Sequence, residues 1–276
     1  MRSIELCAGQ GGGILGDLIL GHRVLCAVEC DPFAQRVLRA RQRDGILPWF
    51  PILDDVRTFD GAPWRGVVDV VAGGIPCQGF SGAGKRLGEH DPRNLWPDAL
   101  RILRETRAPW FFLENVDRLA SLDYWGVILQ DLAAAGYDAR WCVLSAGDVG
   151  APHLRRRVWL LATDTDAFRQ QLREQPRRSG RPGRSDEAQP AEHGEAWAVA
   201  EAFAGSSGAA RGAEPGLGRV ADGVADRLDR SGWWDVERGL PRVAGHSADG
   251  ADRLRGLGNG QVAIARAVAW RLLGGP

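Results

Sequence analysis

From residue 3 to 163, short apolar runs alternate with amphipathic segments, a rhythm that predicts a parallel sheet wrapped by helices. Strands are expected at 3–6, 24–29, 67–72, 110–114, 139–144 and 158–162. Apolar residues recur at helical spacing over 33–43, 97–107 and 125–135, and Pro97 is acceptable in a first turn. Beyond residue 163 the pattern breaks. Arg, Gly, Ser, Glu and Ala dominate to about residue 231, and prolines and glycines interrupt any element that starts. Periodicity returns with Val262, Ile264, Ala265, Val268 and Leu272, which predicts a final helix docked on the main core. The reading is an α/β body formed by 1–164 and 250–276, interrupted by a loop-rich insert at 165–249.

Composition narrows the class. A chain of 276 residues, 44% hydrophobic, can bury a large core. Its first residues carry no basic leader and no apolar run is long enough to cross a bilayer, so no membrane role and a cytoplasmic location are expected. Zero net charge speaks against indiscriminate polyanion binding, but the charge is uneven. Arg169, Arg173, Arg177, Arg178, Arg181 and Arg184 stand close together against Glu174, and Arg155, Arg156 and Arg157 form a triplet. Both groups suit phosphates, although Lys85 is the only lysine and arginine must also serve ordinary solvated positions. Cys7, Cys26, Cys30, Cys77 and Cys142 are odd in number and contain no CxxC pair, so neither a disulfide framework nor a metal site is indicated.

Three segments carry chemistry. Residues 5–13 (ELCAGQGGG) form a glycine-rich turn between the first strand and a helix, where backbone can approach a ligand closely. Glu29 ends the second strand 20 residues after Gly9, the place where nucleotide folds hold ribose hydroxyls, so an adenosine-containing cofactor is expected. Residues 73–81 (GGIPCQGFS) follow a buried strand and put Cys77 on the ligand-binding edge, although a single cysteine is more often a small buried hydrophobe. Glu114 closes the apolar run Trp110, Phe111, Phe112, Leu113. Desolvation there raises proton affinity and suits contact with a ring nitrogen, the plain alternative being a cap for the next helix.

In this order the segments resemble the DNA cytosine-C5 methyltransferase family, bacterial or phage type. The glycine motif matches 5–12, the proline-cysteine motif 74–81 and the glutamate motif Glu114, Asn115, Val116. Asp54, Asp55 and Val56 resemble the element beside the adenine of S-adenosylmethionine. His153 to Arg157 resembles the arginine motif, and Leu257, Gly258, Asn259 the last motif, which folds back on the first. The resemblance implies a doubly wound, Rossmann-like, S-adenosylmethionine-dependent methyltransferase domain with a small recognition insert. It assigns cofactor binding to Cys7, Ala8, Gly9, Gly11, Gly12, Glu29, Cys30, Asp55, Val56, Gly73, Pro76, Asn259, Gly260 and Gln261. It assigns DNA contacts to Gln78, Ser81, Lys85, Arg86 and Arg93, the last three in a glycine-rich lid. Two positions depart from the pattern: His153 replaces the usual Gln, and Gly260–Gln261 replaces a small residue followed by an apolar one.

The implied chemistry is covalent. The Cys77 thiolate adds to C6 of a cytosine flipped out of duplex DNA, and C5 then attacks the sulfonium methyl group. Glu114 holds N3 and the exocyclic amine, Arg155 the carbonyl oxygen O2, and Arg157 supports Glu114 or the Cys77 loop. The insert reads sequence, with Trp197, Trp233 or Trp234 ordering a small core. A monomer working in a bacterial cell or phage-infected host is expected. Other readings are an RNA cytosine-C5 methyltransferase, a DNA enzyme taking a carboxylated S-adenosylmethionine accommodated by Gly260 and Gln261, and a catalytically silent DNA-binding protein.

Overall fold

In the computed structural model, which describes residues 1–76, 94–166 and 250–276, strand β1 (Arg2–Leu6) is an interior strand of a seven-stranded sheet. Its alternation sets up the two layers. Ile4 and Leu6 enter one core cluster, while Ser3 and Glu5 face the opposite side. Around it, β2 (Arg23–Val28), β3 (Ile52–Leu53), β4 (Val70–Gly74) and β5 (Trp110–Val116) pair in parallel. The sheet order is β3-β2-β1-β4-β5-β7-β6, with β6 at Tyr137–Leu144 and β7 at Arg157–Asp164.

One expectation is corrected. The sheet is mixed, because β7 runs antiparallel to both β5 and β6. The connection from β6 to β7 holds just a short 3-10 turn (Gly147–Val149), with no crossover helix to return the chain for a parallel pair. β7 nonetheless reads as a central parallel strand in sequence, since Val158 to Ala162 are buried without alternation.

The helices fall on both faces. α1 (Gly12–Ile19) follows the glycine turn, and α2 (Pro32–Arg43) starts where the Asp31 carboxylate accepts from Phe33 N–H at 2.8 Å, with Pro32 in its first turn. α3 (Trp96–Thr106) and α4 (Asp123–Ala134) bury Leu100, Leu103, Ile128 and Leu132 against the Ile4 side of the sheet. Near the C-terminus come α5 (Gly250–Asn259) and α6 (Ala263–Leu272). As the returning periodicity predicts, α6 docks on the core: Val268, Ala269 and Trp270 pack with Val70, Ala72, Phe112 and Trp159. Trp270 meets Phe112 edge-on at 5.2 Å, and truncating such a buried ring costs about 3–5 kcal/mol. The sequence does not announce α5, whose Gly250, Gly256 and Gly258 weaken helical propensity.

Candidate active site

At the carboxyl ends of β1, β2, β4 and β5, where open α/β sheets bind ligands, lies a cavity of about 580 Å3. Its first half is built by the turn after β1. Cys7 (φ 51°), Gly9 (φ 53°) and Gly11 (φ 89°) are left-handed, which coils the chain tightly and turns backbone toward the cavity. Glu29 fastens this turn to the end of β2: one carboxylate oxygen accepts from Gly9 N–H at 2.6 Å, the other from Asp31 N–H at 2.8 Å. Each oxygen retains a further acceptor position, and Glu29 lines the cavity. Asp55 and Val56 form another part of the wall. Their loop is held by Arg101 of α3, which donates to the carbonyls of Val56 and Phe59, both at 2.8 Å, and pairs with Glu105 at 3.0 Å.

The second half is organised by Glu114, near the end of β5. It is buried, at 6% exposure, and that burial raises its carboxyl above the usual range against the opposing pull of Arg157 and Arg155. Because β7 is antiparallel, Arg157 lies opposite Val116 at the mouth of the cavity and brings its Nε to 2.9 Å from Glu114 Oε1. Arg157 is thus the charge partner of this buried oxygen. The neighbouring Asn115 amide donates to Ile75 C=O at 2.9 Å, fixing the chain that leads to Pro76.

A C-terminal segment closes the cavity, with Gly256, Gly258 and Asn259 among its lining residues. Arg155, itself left-handed (φ 31°), donates to Gly258 C=O at 2.9 Å and to Gly260 C=O. Burial and neighbouring Arg157 lower its proton affinity. On the far side, the backbone carbonyl of Gln261 packs so closely on Gly12 that no Cβ fits there.

The structure thus brings Cys7, Gly9, Glu29, Cys30, Asp55 and Val56 to one cavity with Pro76, Glu114, Arg155, Arg157 and Asn259. Ala8, Gly11, Gly12 and Gly73 lie behind its lining and shape the turn and strand instead. Gly260 and Gln261 are also not in the lining: the Gln261 amide oxygen is turned to Arg266, which donates to it at 2.9 Å. Cys77, Gln78, Ser81, Lys85, Arg86 and Arg93 lie outside the described residues, as do the insert beyond residue 166 and its Trp197, Trp233 and Trp234. Sequence reasoning missed Arg101 and Arg266. Arg266 left a signal, because it interrupts the apolar stripe of the last helix at a position that faces the core. Among the described residues, no helix is long and apolar enough to cross a membrane and no cluster of His, Cys, Asp or Glu could hold a metal.

A glycine turn fastened by the buried carboxylate of Glu29 shares one cavity with a desolvated glutamate and two arginines. The model of the C-5 cytosine-specific DNA methylase family matches residues 1–194, and the chain belongs to that family. Among individual relatives it is similar to the type II methyltransferase M.NgoMIV of Neisseria gonorrhoeae, 40% identical over 163 residues that cover 58% of this chain and 51% of that protein. It is also similar to M.NaeI of Lentzea aerocolonigenes, 35% identical over 165 residues, 59% of this chain and 40% of that one. The chain therefore spans about half the length of the curated relatives it matches. A solved structure of a prophage-encoded DNA modification methyltransferase (E. coli) superposes with TM-score 0.51 at 26% identity, over 61% of this chain and 48% of that one. A Spodoptera frugiperda DNMT2 mutant gives TM-score 0.50 at 22% identity, over 60% and 50%, a likeness of fold.

Proposed function

We propose that this chain transfers a methyl group from S-adenosylmethionine to C5 of a cytosine flipped out of duplex DNA, through a covalent bond to Cys77. The observation that carries the reading is Glu114, a carboxyl whose burial raises its proton affinity although Arg157 stands 2.9 Å away, in the cavity that also holds Pro76, the residue before Cys77. The donor set fits the cofactor. Glu29 has spare acceptor positions for ribose hydroxyls, the space beside Gly9 is open, and a cavity of about 580 Å3 falls in the range of small-molecule sites. When bound, S-adenosylmethionine supplies an electrophilic methyl group.

Everything else falls to the chain. Cytosine C5 is a weak nucleophile, and addition of the Cys77 thiolate at C6 pushes electron density onto it. The four described cysteines are poor rivals for this role. Burial raises the thiols of Cys7 and Cys30, and pushes Cys26 up to about 12 and Cys142 up to about 11. Glu114, its proton affinity raised by desolvation, holds a proton at N3 as negative charge builds on the ring, and its other oxygen accepts from the exocyclic amine. Arg155, expected at O2 of the base, instead donates from Nη1 and Nη2 to the Gly258 and Gly260 carbonyls, which supports giving O2 to Arg157, 2.9 Å from Glu114. Arg155 then keeps the C-terminal segment closed through Gly258 and Gly260. Loss of the C5 proton and expulsion of the thiolate release the product. Flipping the base costs a few kcal/mol, recovered from these contacts.

The test is mass spectrometry of nucleosides from DNA of cells expressing the chain, with purified protein offered duplex DNA and tRNA in parallel. 5-Methylcytosine in DNA, lost with Cys77→Ala, is expected. Methylation confined to tRNA would move the reading to RNA, and carboxymethylcytosine would move it to a carboxylated cofactor. Methylation that survives Cys77→Ala would overturn the mechanism.

A further inference from the structure

We infer that Arg266 is a positioning residue that locks the cofactor turn, the C-terminal segment and the base-holding Glu114 into one register; this rests on the methyl-transfer reading above. Its side chain is 1% exposed, and all five of its N–H donors are spent. Nη1 donates to Glu5 Oε1 and to Gln261 Oε1, both at 2.9 Å. Nη2 donates to Glu5 Oε2 at 2.8 Å and to Asp17 Oδ1 at 2.9 Å, and Nε reaches the same Asp17 oxygen at 3.1 Å. Ser3 Oγ donates to Asp17 Oδ2 at 2.6 Å, buried His22 places Nδ1 3.6 Å from Asp17 Oδ1, and the guanidinium carbon lies 5.4 Å from the centre of the Phe112 ring.

Stability alone does not account for such a cluster. Two carboxylates and one guanidinium taken out of water lose hydration that their attraction only partly returns, and well-packed apolar residues of similar volume often serve a core as well. What the cluster does, and apolar packing does not, is fix direction. Glu5 stands two residues before Cys7, where the chain turns left-handed into the cofactor loop. Asp17 belongs to α1, whose first residue, Gly12, is pressed against the Gln261 carbonyl. By holding Gln261 Oε1, Arg266 turns the amide nitrogen toward Gly74, the point on which Glu114 Oε2 also converges: a Cβ built there would lie 2.8 Å from Gln261 Nε2 and 3.0 Å from Glu114 Oε2. Arg266, Glu5, Asp17 and Gln261 are not among the cavity's lining residues, so their influence passes through the groups they hold.

Three variants test this beside the wild type. The neutral set Glu5→Gln, Asp17→Asn, Arg266→Met removes the charges together, so that none is left unpaired. Gln261→Met keeps the ion pairs of Arg266 with Glu5 and Asp17 and removes the amide that joins them to Gly74. Trp270→Phe loosens α6 and leaves every hydrogen bond of Arg266 in place. The readouts are the melting temperature, S-adenosylmethionine affinity by calorimetry, and KM against kcat for methyl transfer. The neutral set is expected to raise the cofactor Kd and KM about tenfold and lower kcat about tenfold, in keeping with a sub-ångström loss of register. Gln261→Met should lower kcat about tenfold with cofactor Kd within about threefold. Trp270→Phe should lower the melting temperature alone. If the neutral set does not fold, Gln261→Met decides. Wild-type affinity and kinetics in every variant that folds would overturn the inference. An inactive wild type would instead contradict the methyl-transfer reading, and the cofactor affinities would still judge the positioning claim.

Discussion

Gly74→Ala is the sharpest perturbation the site offers. Gly74 is not among the residues with left-handed φ, so alanine costs nothing in backbone conformation and the effect is steric. The added methyl would sit 2.8 Å from Gln261 Nε2 and 3.0 Å from Glu114 Oε2, where ordinary contact begins at about 3.5 Å. One or both must move by roughly 0.5 Å. Glu114 has little room to retreat, since its other oxygen is already 2.9 Å from Arg157, and Gln261 is tied to Arg266. Reacting groups tolerate errors of about 0.5 Å, and a misplacement of about 1 Å costs roughly a hundredfold in rate. A kcat loss of about tenfold to a hundredfold follows, with cofactor Kd within about threefold because the turn around Gly9 is untouched. Overpacking should cost about 1–3 kcal/mol, or roughly 2–12 °C in a chain of this size. Radiolabelled methyl transfer to duplex DNA and thermal unfolding by circular dichroism measure both quantities. The companion Gly126→Ala, inside α4 where a methyl meets nothing within 4 Å, should raise stability by about 0.5–1 kcal/mol and leave kcat unchanged. A folded Gly74→Ala protein with kcat within twofold of wild type would refute the geometry assigned to Glu114.

Two further outcomes are expected. Arg101→Met removes the donors that hold the Val56 and Phe59 carbonyls, so KM for S-adenosylmethionine should rise about tenfold with kcat nearly unchanged, as steady-state kinetics would show. Arg157→Gln removes a cation that holds the Glu114 proton affinity down. If the protonated acid works at N3, kcat/KM falls as pH rises through the Glu114 titration, and that alkaline limb should move to higher pH in the variant; a shift to lower pH would contradict the assignment.

Much of the architecture is legible in the sequence because burial on both faces writes β2, β4 and β5 as apolar runs closed by chemically distinctive residues. The boundaries of α2, α3 and α4 fall within two residues of those that periodicity predicts. The direction of β7 is not legible, since a fully buried antiparallel strand reads like a parallel one. Motif order suffices to put Glu29, Glu114, Arg155 and Arg157 at one site. It offers Arg157 as a support for Glu114 or for the Cys77 loop, and the structure has the first of these. That Arg155 holds Gly258 and Gly260, and that Gln261 faces Arg266, depends on contacts between residues more than 100 positions apart or on side-chain direction. Arg266 shows the difference most plainly: as an arginine in an apolar stripe it could be noticed, but nothing local ties it to Glu5, 261 residues away.

The most direct test of covalent methyl transfer is mass spectrometry of the protein after reaction with duplex DNA in which every cytosine is replaced by 5-fluorocytosine, with S-adenosylmethionine present. Fluorine cannot leave C5 as a proton does, so the expulsion step is blocked. The account predicts a DNA adduct on the peptide containing Cys77, absent in Cys77→Ala, and dependent on the cofactor for its added methyl group. Methylation of ordinary cytosine DNA by the same preparation, with no adduct forming on Cys77, would contradict it.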